Sequence, residues 1–195
     1  MPLDIVILGP PGAGKGTQAK RVAAERDLAH IATGDMLRAA IAEASELGRR
    51  VQEVVDRGDL VSDELMAELI RDRLLRPDTD RGFVLDGFPR TLAQAEALDT
   101  LLRELGRGLS IVLELQLPED VAVERLLGRA RAEGRSDDTP DVIRNRLRVY
   151  REQSLPVSEY YRARGILVGV PAERSIDAVY ADVERALDQA EDQAA

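Results

Sequence analysis

Gly9-Pro10-Pro11-Gly12-Ala13-Gly14-Lys15-Gly16-Thr17 sets four glycines, a lysine and a hydroxyl within nine residues. The apolar run Leu3–Leu8 precedes it, and a helix-compatible run from Gln18 to Arg26 follows. Strand, glycine-rich turn and helix form the context of a phosphate-binding loop. Glycines let successive backbone N–H groups turn inward around an anion, and the helix N-terminus adds its positive end. Lys15 brings a flexible point charge to the same oxygens. In general nucleotide-hydrolysing loops the Mg²⁺-binding hydroxyl follows the lysine directly. Here Gly16 takes that place and the hydroxyl comes at Thr17. This argues against an ordinary motor ATPase or GTPase, and it leaves Mg²⁺ to phosphates, waters and an acid elsewhere.

Asp86 ends the apolar run Gly82–Leu85 and is followed by Gly87-Phe88-Pro89-Arg90. If this strand neighbours the first, Asp86 stands beside the loop, where ligands of parallel sheets gather, placed to order Mg²⁺-bound water. Thr33-Gly34-Asp35-Met36-Leu37-Arg38 leaves a short apolar stretch and enters a helix. A phosphate could meet that start, with Arg38 one turn in; a capped surface helix fits equally well. Arg129, Arg135 and Arg146 surround Asp137-Asp138. A planar guanidinium pairs bidentately with phosphate, although a salt-bridged surface hinge has the same spacing. His30 lies in an apolar stretch and reads as structural. Tyr150, Tyr160 and Tyr161 read as packing or surface residues rather than a base-stacking platform.

The 195 residues suit one domain with a full core. With 44% apolar and 32% charged residues the chain reads as globular and soluble. Without cysteine it can form no disulfide and no cysteine-based zinc site. A core strand starting at residue 3 leaves no room for a signal peptide, and no apolar run reaches membrane-spanning length, so a cytoplasmic protein is expected. A net charge of −9 argues against nucleic acid as partner. The cations are 25 arginines with Lys15 and Lys20 alone as lysines, so an isolated arginine says little.

Apolar runs bounded by turns predict strands at 3–8, 82–85, 109–117 and 166–170, with a short one at 29–32. Helical patterns cover 17–26, 35–44, 46–56, 62–75, 91–105, 118–133, 140–161 and 175–191. This alternation predicts a parallel sheet covered on both faces. Thr91 with Gln94 suggests a capping box, Ser62, Asp63 and Ser175 suggest N-caps, and Gly106 and Gly108 suggest a helix stop. Ile176, Val179, Val183 and Leu187 give the last helix an apolar stripe. Residues 33–62 hold two short helices without a strand, the size of a small mobile insert. Residues 129–138 form a short, charge-dense connection.

The strings GPPGAGKGTQA, HIATGDMLR, GDLVSDEL, GFVLDGFPRTLAQAE, ERLLGR and GRSDD, with the R-N-R-L-x-x-Y run ending at Tyr150, resemble the adenylate kinase branch of the nucleoside monophosphate kinases. In family order they span residues 3 to about 187. The resemblance implies an α/β, three-layer P-loop kinase fold with a five-stranded parallel sheet. Residues 1–32, 63–128 and 139–195 become the core, 33–62 a helical AMP-binding subdomain and 129–138 the lid. Many bacterial relatives carry roughly thirty more lid residues, often folded around zinc; this chain is similar to the short form, so no zinc is expected.

By the same resemblance, Gly12, Ala13, Gly14, Lys15, Gly16 and Thr17 wrap the donor phosphates. Arg125 reaches the ATP base, Arg129 its phosphate, and the Arg174 backbone touches its adenine. Thr33, Gly34, Arg38, Val61, Gly87, Arg90 and Gln94 hold AMP. Among them Arg38 and Arg90 take the phosphate, while Thr33 and Gln94 face the adenine. Arg135 and Arg146 gather the transferring group. Lys15, Arg90, Arg129, Arg135 and Arg146 are the expected catalytic set. Asp137 and Asp138 order the lid, and Asp86 reaches Mg²⁺ through water.

The implied reaction is reversible in-line transfer from MgATP to AMP, giving two ADP, by a monomeric enzyme that binds neither nucleic acid nor membrane. A phosphate oxygen of AMP is already anionic near pH 7, since its second pKa is about 6. A general base is not needed, and the chain has no second histidine to supply one. A UMP/CMP kinase shares the loop, the GFPR string and the short lid, but Thr33 and Gln94 favour adenine. A catalytically inactive nucleotide-binding protein would lack Lys15 or the arginines, and this chain has them.

Overall fold

The computed structural model describes residues 2–133 and 139–194. Five strands form its centre: β1 (Leu3–Leu8), β2 (Ala29–Ala32), β3 (Gly82–Asp86), β4 (Ile111–Gln116) and β5 (Leu167–Pro171). They form one parallel sheet in the order β2-β3-β1-β4-β5. Around it lie α1 (Lys15–Arg26), α2 (Thr33–Ala42), α3 (Glu46–Arg57), α4 (Asp63–Leu74), α5 (Leu92–Glu104), α6 (Glu119–Glu133), α7 (Pro140–Val149), α8 (Leu155–Ala163) and α9 (Ile176–Ala194). The fold class is the expected three-layer one.

Two-residue periodicity assigns each strand residue to a layer. Val6, Leu8, Phe83, Leu85 and Val112 face one core, joined by Leu37, Ile70, Leu98 and Val157 from α2, α4, α5 and α8. Ile5, Ile7, Val84 and Leu113 face the other, joined by Val22 of α1 and by Val179, Val183 and Leu187 of α9. Asp4 is the one charge fully buried in β1, and Arg107 meets it with two N–H groups, Nε at 2.9 Å. Burial raises the Asp4 pKa while Arg107 opposes the rise. Among the described residues no helix is long and apolar enough to cross a membrane.

Most local signals act as read. Ser62, Thr91 and Ser175 accept hydrogen bonds from the first turns of α4, α5 and α9, and Gly106 adopts positive φ just after α5. Several readings change, among them the helix expected over 35–44, which spans Thr33–Ala42. The α1 helix starts at Lys15, because Gly14 takes the left-handed conformation and serves as N-cap. The stripe of α9 lacks Ile176, which is exposed in the first turn. The single helix expected over 140–161 is α7 and α8 joined by a π turn at Tyr150–Ser154. Pro156 explains the break: it offers no N–H and its ring crowds the carbonyl four residues back, which the wider turn relieves.

Candidate functional site

Register brings the loop and the GFPR segment together. Ile7 pairs with Asp86 across β1 and β3, and Ala32 pairs with Asp86 from the other side. The phosphate loop, Thr33 at the start of α2, and Gly87 therefore leave adjacent strands at one sheet edge. Gly9 is required there: at φ +141 a Cβ would stand 2.6 Å from the Leu115 carbonyl oxygen. Gly87, at φ +86, is required too, because a Cβ would stand 2.7 Å from Thr33 Oγ1 and 3.0 Å from an Arg90 guanidinium nitrogen.

Lys15 Nζ donates to the Gly9 and Pro10 carbonyls at 2.8 and 2.9 Å. Burial pushes its pKa from 10.5 to about 8; Asp86 opposes this, while Arg90, Arg146 and Arg129 add to it. Three of the five expected catalytic cations thus act on the fourth. The loop packs on Asp86, for a Cβ on Gly16 would meet Asp86 Oδ2 at 3.2 Å. A side chain after Lys15 would need that carboxylate to give way by a few tenths of an ångström.

Two cavities, each of about 60 Å³, adjoin this centre. One is lined by Thr33, Gly34, Arg38, Val61, Gly87, Arg90 and Gln94, all seven residues expected at AMP, together with Arg146. The other is lined by Gly9, Pro11 and Lys15 of the loop and again by Gly87, Arg90 and Arg146. Arg90 and Arg146 therefore border both. Arg90 Nε donates to the Gly87 carbonyl at 2.7 Å, and its own carbonyl accepts from Ser154 Oγ at 2.9 Å. Burial lowers the Arg90 pKa, Asp86 opposes, and Arg38 adds to the lowering, so the two guanidiniums repel within one cleft. Arg38 pairs with Asp35 at 2.5 Å.

On the donor side, Arg125 donates to the Glu173 carbonyl at 3.2 Å, next to Arg174. Arg174 pairs with Asp182 and is exposed. Gln18 Nε2 donates to the Ile176 carbonyl at 3.1 Å and ties α1 to the same corner. Arg129 and Arg146 lie on α6 and α7. Arg135, Asp137 and Asp138 lie outside the described residues. His30 is half-buried with Nε2 unpartnered, and burial lowers its pKa. Tyr160 and Tyr161 pack edge to face, but Tyr150 lines the cavity at Lys15, a placement its sequence neighbours did not signal.

Sequence reasoning missed two further groups. Asp63 accepts from both Thr91 and Gln94. Asn145 Nδ2 donates to the Arg57 carbonyl and to Asp59 Oδ1, each at 2.8 Å, and so joins α7 to the end of the 33–62 insert. Both are contacts between residues far apart in sequence that no local pattern announces.

Comparison with known proteins gives the family. A family model described as adenylate kinase matches residues 7–166. The adenylate kinase of Stenotrophomonas maltophilia strain K279a is 46% identical over 185 residues, 95% of this chain and 99% of the relative. That of Xanthomonas euvesicatoria pv. vesicatoria strain 85-10 is 48% identical over 185 residues, again 95% and 99%. The adenylate kinase of Xylella fastidiosa strain 9a5c is 48% identical over 177 residues, 91% of this chain and 95% of the relative.

The chain belongs to the adenylate kinase family.

The two cavities meet at Arg90 and Arg146, which are common to both linings. Among the described residues no group of three or more His, Cys, Asp or Glu side chains could hold a metal ion. Asp86 is the acid nearest the loop glycines by contact.

Proposed function

We propose that this chain is an ATP:AMP phosphotransferase, an adenylate kinase that moves the terminal phosphoryl group of MgATP to AMP and releases two ADP. The observation that carries the reading is the pair of cavities bordered in common by Arg90 and Arg146, with Lys15 in one and Thr33, Arg38 and Gln94 in the other.

In this reading Gly12–Thr17 wrap the donor phosphates, with Arg129 beside them and Arg125 and the Arg174 backbone at the ATP base. Arg38 and Arg90 hold the AMP phosphate. Thr33, Gly34, Val61, Gly87 and Gln94 enclose its nucleoside. The phosphate oxygen of AMP attacks the γ-phosphorus; the bond to the β–γ bridging oxygen breaks, and its electrons leave with ADP. Lys15, Arg90 and Arg146, joined by Arg135 from the lid, neutralise charge on the transferring group and align it. Nothing must remove a proton from the nucleophile. In this reading residues 33–62 close over the site and keep water from the phosphoryl group together with the lid that the resemblance puts at 129–138, whose arginines Asp137 and Asp138 would hold.

The residues fit Mg²⁺, which keeps most of its waters and takes one or two carboxylates plus substrate phosphates. Asp86 against Gly16 offers such a carboxylate to a metal-bound water. When bound, Mg²⁺ neutralises phosphate charge and orients the donor. Zinc has no role in this reading, supported by the lack of cysteine. A monomer working in the cytoplasm completes the proposal.

The test is incubation of the pure protein with ATP-Mg²⁺ and AMP, UMP, CMP or GMP. AMP should be turned over far faster than the others, with ADP as sole product. Comparable rates with UMP or CMP would favour the pyrimidine kinase. ATP hydrolysis without transfer, or no turnover, would overturn the assignment.

A further inference from the structure

Gln94 is held at both ends by groups whose hydrogen-bonding character cannot reverse. Its Oε1 accepts from the Arg90 backbone N–H at 2.7 Å. Its Nε2 donates to Asp63 Oδ1 at 2.8 Å. A backbone N–H only donates, and an ionised carboxylate only accepts. Turning the amide over would set N–H against N–H at Arg90 and oxygen against oxygen at Asp63. The carboxylate is itself held, because Thr91 Oγ1 donates to the same oxygen at 2.9 Å. Thr91 in turn caps Gln94 N–H at 3.2 Å. The capping box is therefore displaced by one residue: the glutamine reaches back to Arg90 N–H rather than to Thr91 N–H.

A primary amide carries two N–H groups and two lone pairs on oxygen. One of each is committed here. One N–H and one lone pair remain, their sense fixed by the two that are taken. Gln94 is 2% exposed and lines the cavity with Thr33, Val61 and Arg90. Its remaining valences are thus cut off from bulk water and belong to whatever fills the cavity.

A 6-aminopurine offers a donor at N6 beside an acceptor at N1, which complements that pair. A 6-oxopurine offers the reverse, an acceptor at O6 beside a donor at N1. In the same placement it meets oxygen with oxygen and N–H with N–H. It could match only by turning over, which a phosphate anchored by Arg38 and Arg90 prevents. A glutamine free to rotate would accept either base.

We propose that Asp63 is a specificity-determining positioning residue, which fixes the Gln94 amide so that the cavity selects 6-aminopurine over 6-oxopurine monophosphates. This rests on reading the cavity as the acceptor site with Gln94 toward the base.

The experiment measures kcat and KM of the full chain with ATP-Mg²⁺ and either AMP or IMP, which differ at the purine edge and share ribose and phosphate. Asp63→Ala should raise KM for AMP and lower the AMP-to-IMP ratio of kcat/KM about tenfold, the worth of one hydrogen bond in a buried site. Asp63→Asn keeps an oxygen that accepts both bonds and should restore most of the ratio. Thr91→Val, which frees the carboxylate without removing it, should lower the ratio less and in the same direction. It decides the matter if Asp63→Ala fails to fold. If Asp63 serves only the first turn of α4, both acceptors suffer alike and the ratio stays constant, which overturns the proposal. Gln94→Ala separates the two levels. A ratio unchanged in Gln94→Ala removes the base-facing reading itself. A ratio lost in Gln94→Ala but kept in Asp63→Ala and Thr91→Val removes only the role of Asp63.

Discussion

Lys15 sits among positive charges that its own loop does not neutralise, and this has a measurable consequence in protons. Burial, with Arg90, Arg146 and Arg129 adding to it and Asp86 opposing, holds its pKa at about 8 rather than 10.5. About half of Lys15 is then deprotonated at pH 8, and roughly 3% at pH 6.5, from the titration relation behind linkage. A bound triphosphate places several negative charges on Nζ and returns its pKa toward or beyond the ordinary value. Binding at pH 8 should therefore take up about half a proton per site, and at pH 6.5 almost none from this group. The same shift has a sign for stability. The native state binds fewer protons than the unfolded chain between about 8 and 10.5, so this group makes stability rise with pH across that window. Below pH 8 the penalty of the buried cation is fully present.

The assay is titration calorimetry of ATP binding at pH 8.0 in two buffers of different ionisation enthalpy. The difference in observed heat divided by the difference in buffer enthalpy gives the proton number. Lys15→Arg supplies the control, since guanidinium stays protonated throughout. Uptake of less than about 0.1 proton at pH 8 would refute the depressed pKa. Equal uptake by wild type and Lys15→Arg would assign the proton to another group and refute the reasoning just as firmly.

Lys15→Ala should cut turnover about a thousandfold or more while leaving the circular dichroism spectrum unchanged, the size of loss seen for donors that stabilise transition-state charge. Near wild-type turnover would sink the role given to Lys15. Arg38→Ala should raise KM for AMP tenfold or more with little change in the affinity for ATP alone, because Arg38 lines only the proposed acceptor cavity, whereas Arg90→Ala also strips the Lys15 cavity and should lower kcat as well. Equal losses for both nucleotides would merge the two sites. Exhaustive dialysis against a chelator should leave the melting temperature unchanged and abolish transfer until Mg²⁺ is restored; a melt that depends on retained zinc would reverse the reading of the short lid. Asn145→Ala removes the bonds from α7 to Arg57 and Asp59 and should lengthen label distances between residues 33–62 and α7 in the nucleotide complex. Unchanged distances would show that the contact does not hold the insert.

What could be read from sequence here follows the range of the forces involved. The loop was legible because each of its residues answers to a local demand: glycines to backbone approach, Lys15 to the anion, the apolar run to burial. The five strands were legible for the same reason. The placement of Asp86 was conditional on β1 and β3 being neighbours, and the Ile7–Asp86 register met that condition. The π turn was legible in principle, since Pro156 alone forbids a continuous helix, yet the apolar periodicity on either side outweighed it. Asp63 was the harder case. It reads as an N-cap candidate beside Ser62; Ser62 takes the cap and Asp63 becomes the first residue of α4, while its oxygen also receives Thr91 and Gln94 from 28 and 31 residues away. Gln94 shows how the two ranges combine. Its capping role is local and sequence announces it, while the sense in which its amide faces the cavity needs a carboxylate delivered by another helix. On the proposal above, base selection is a property of that pair of helices, α4 against α5, rather than of the glutamine alone.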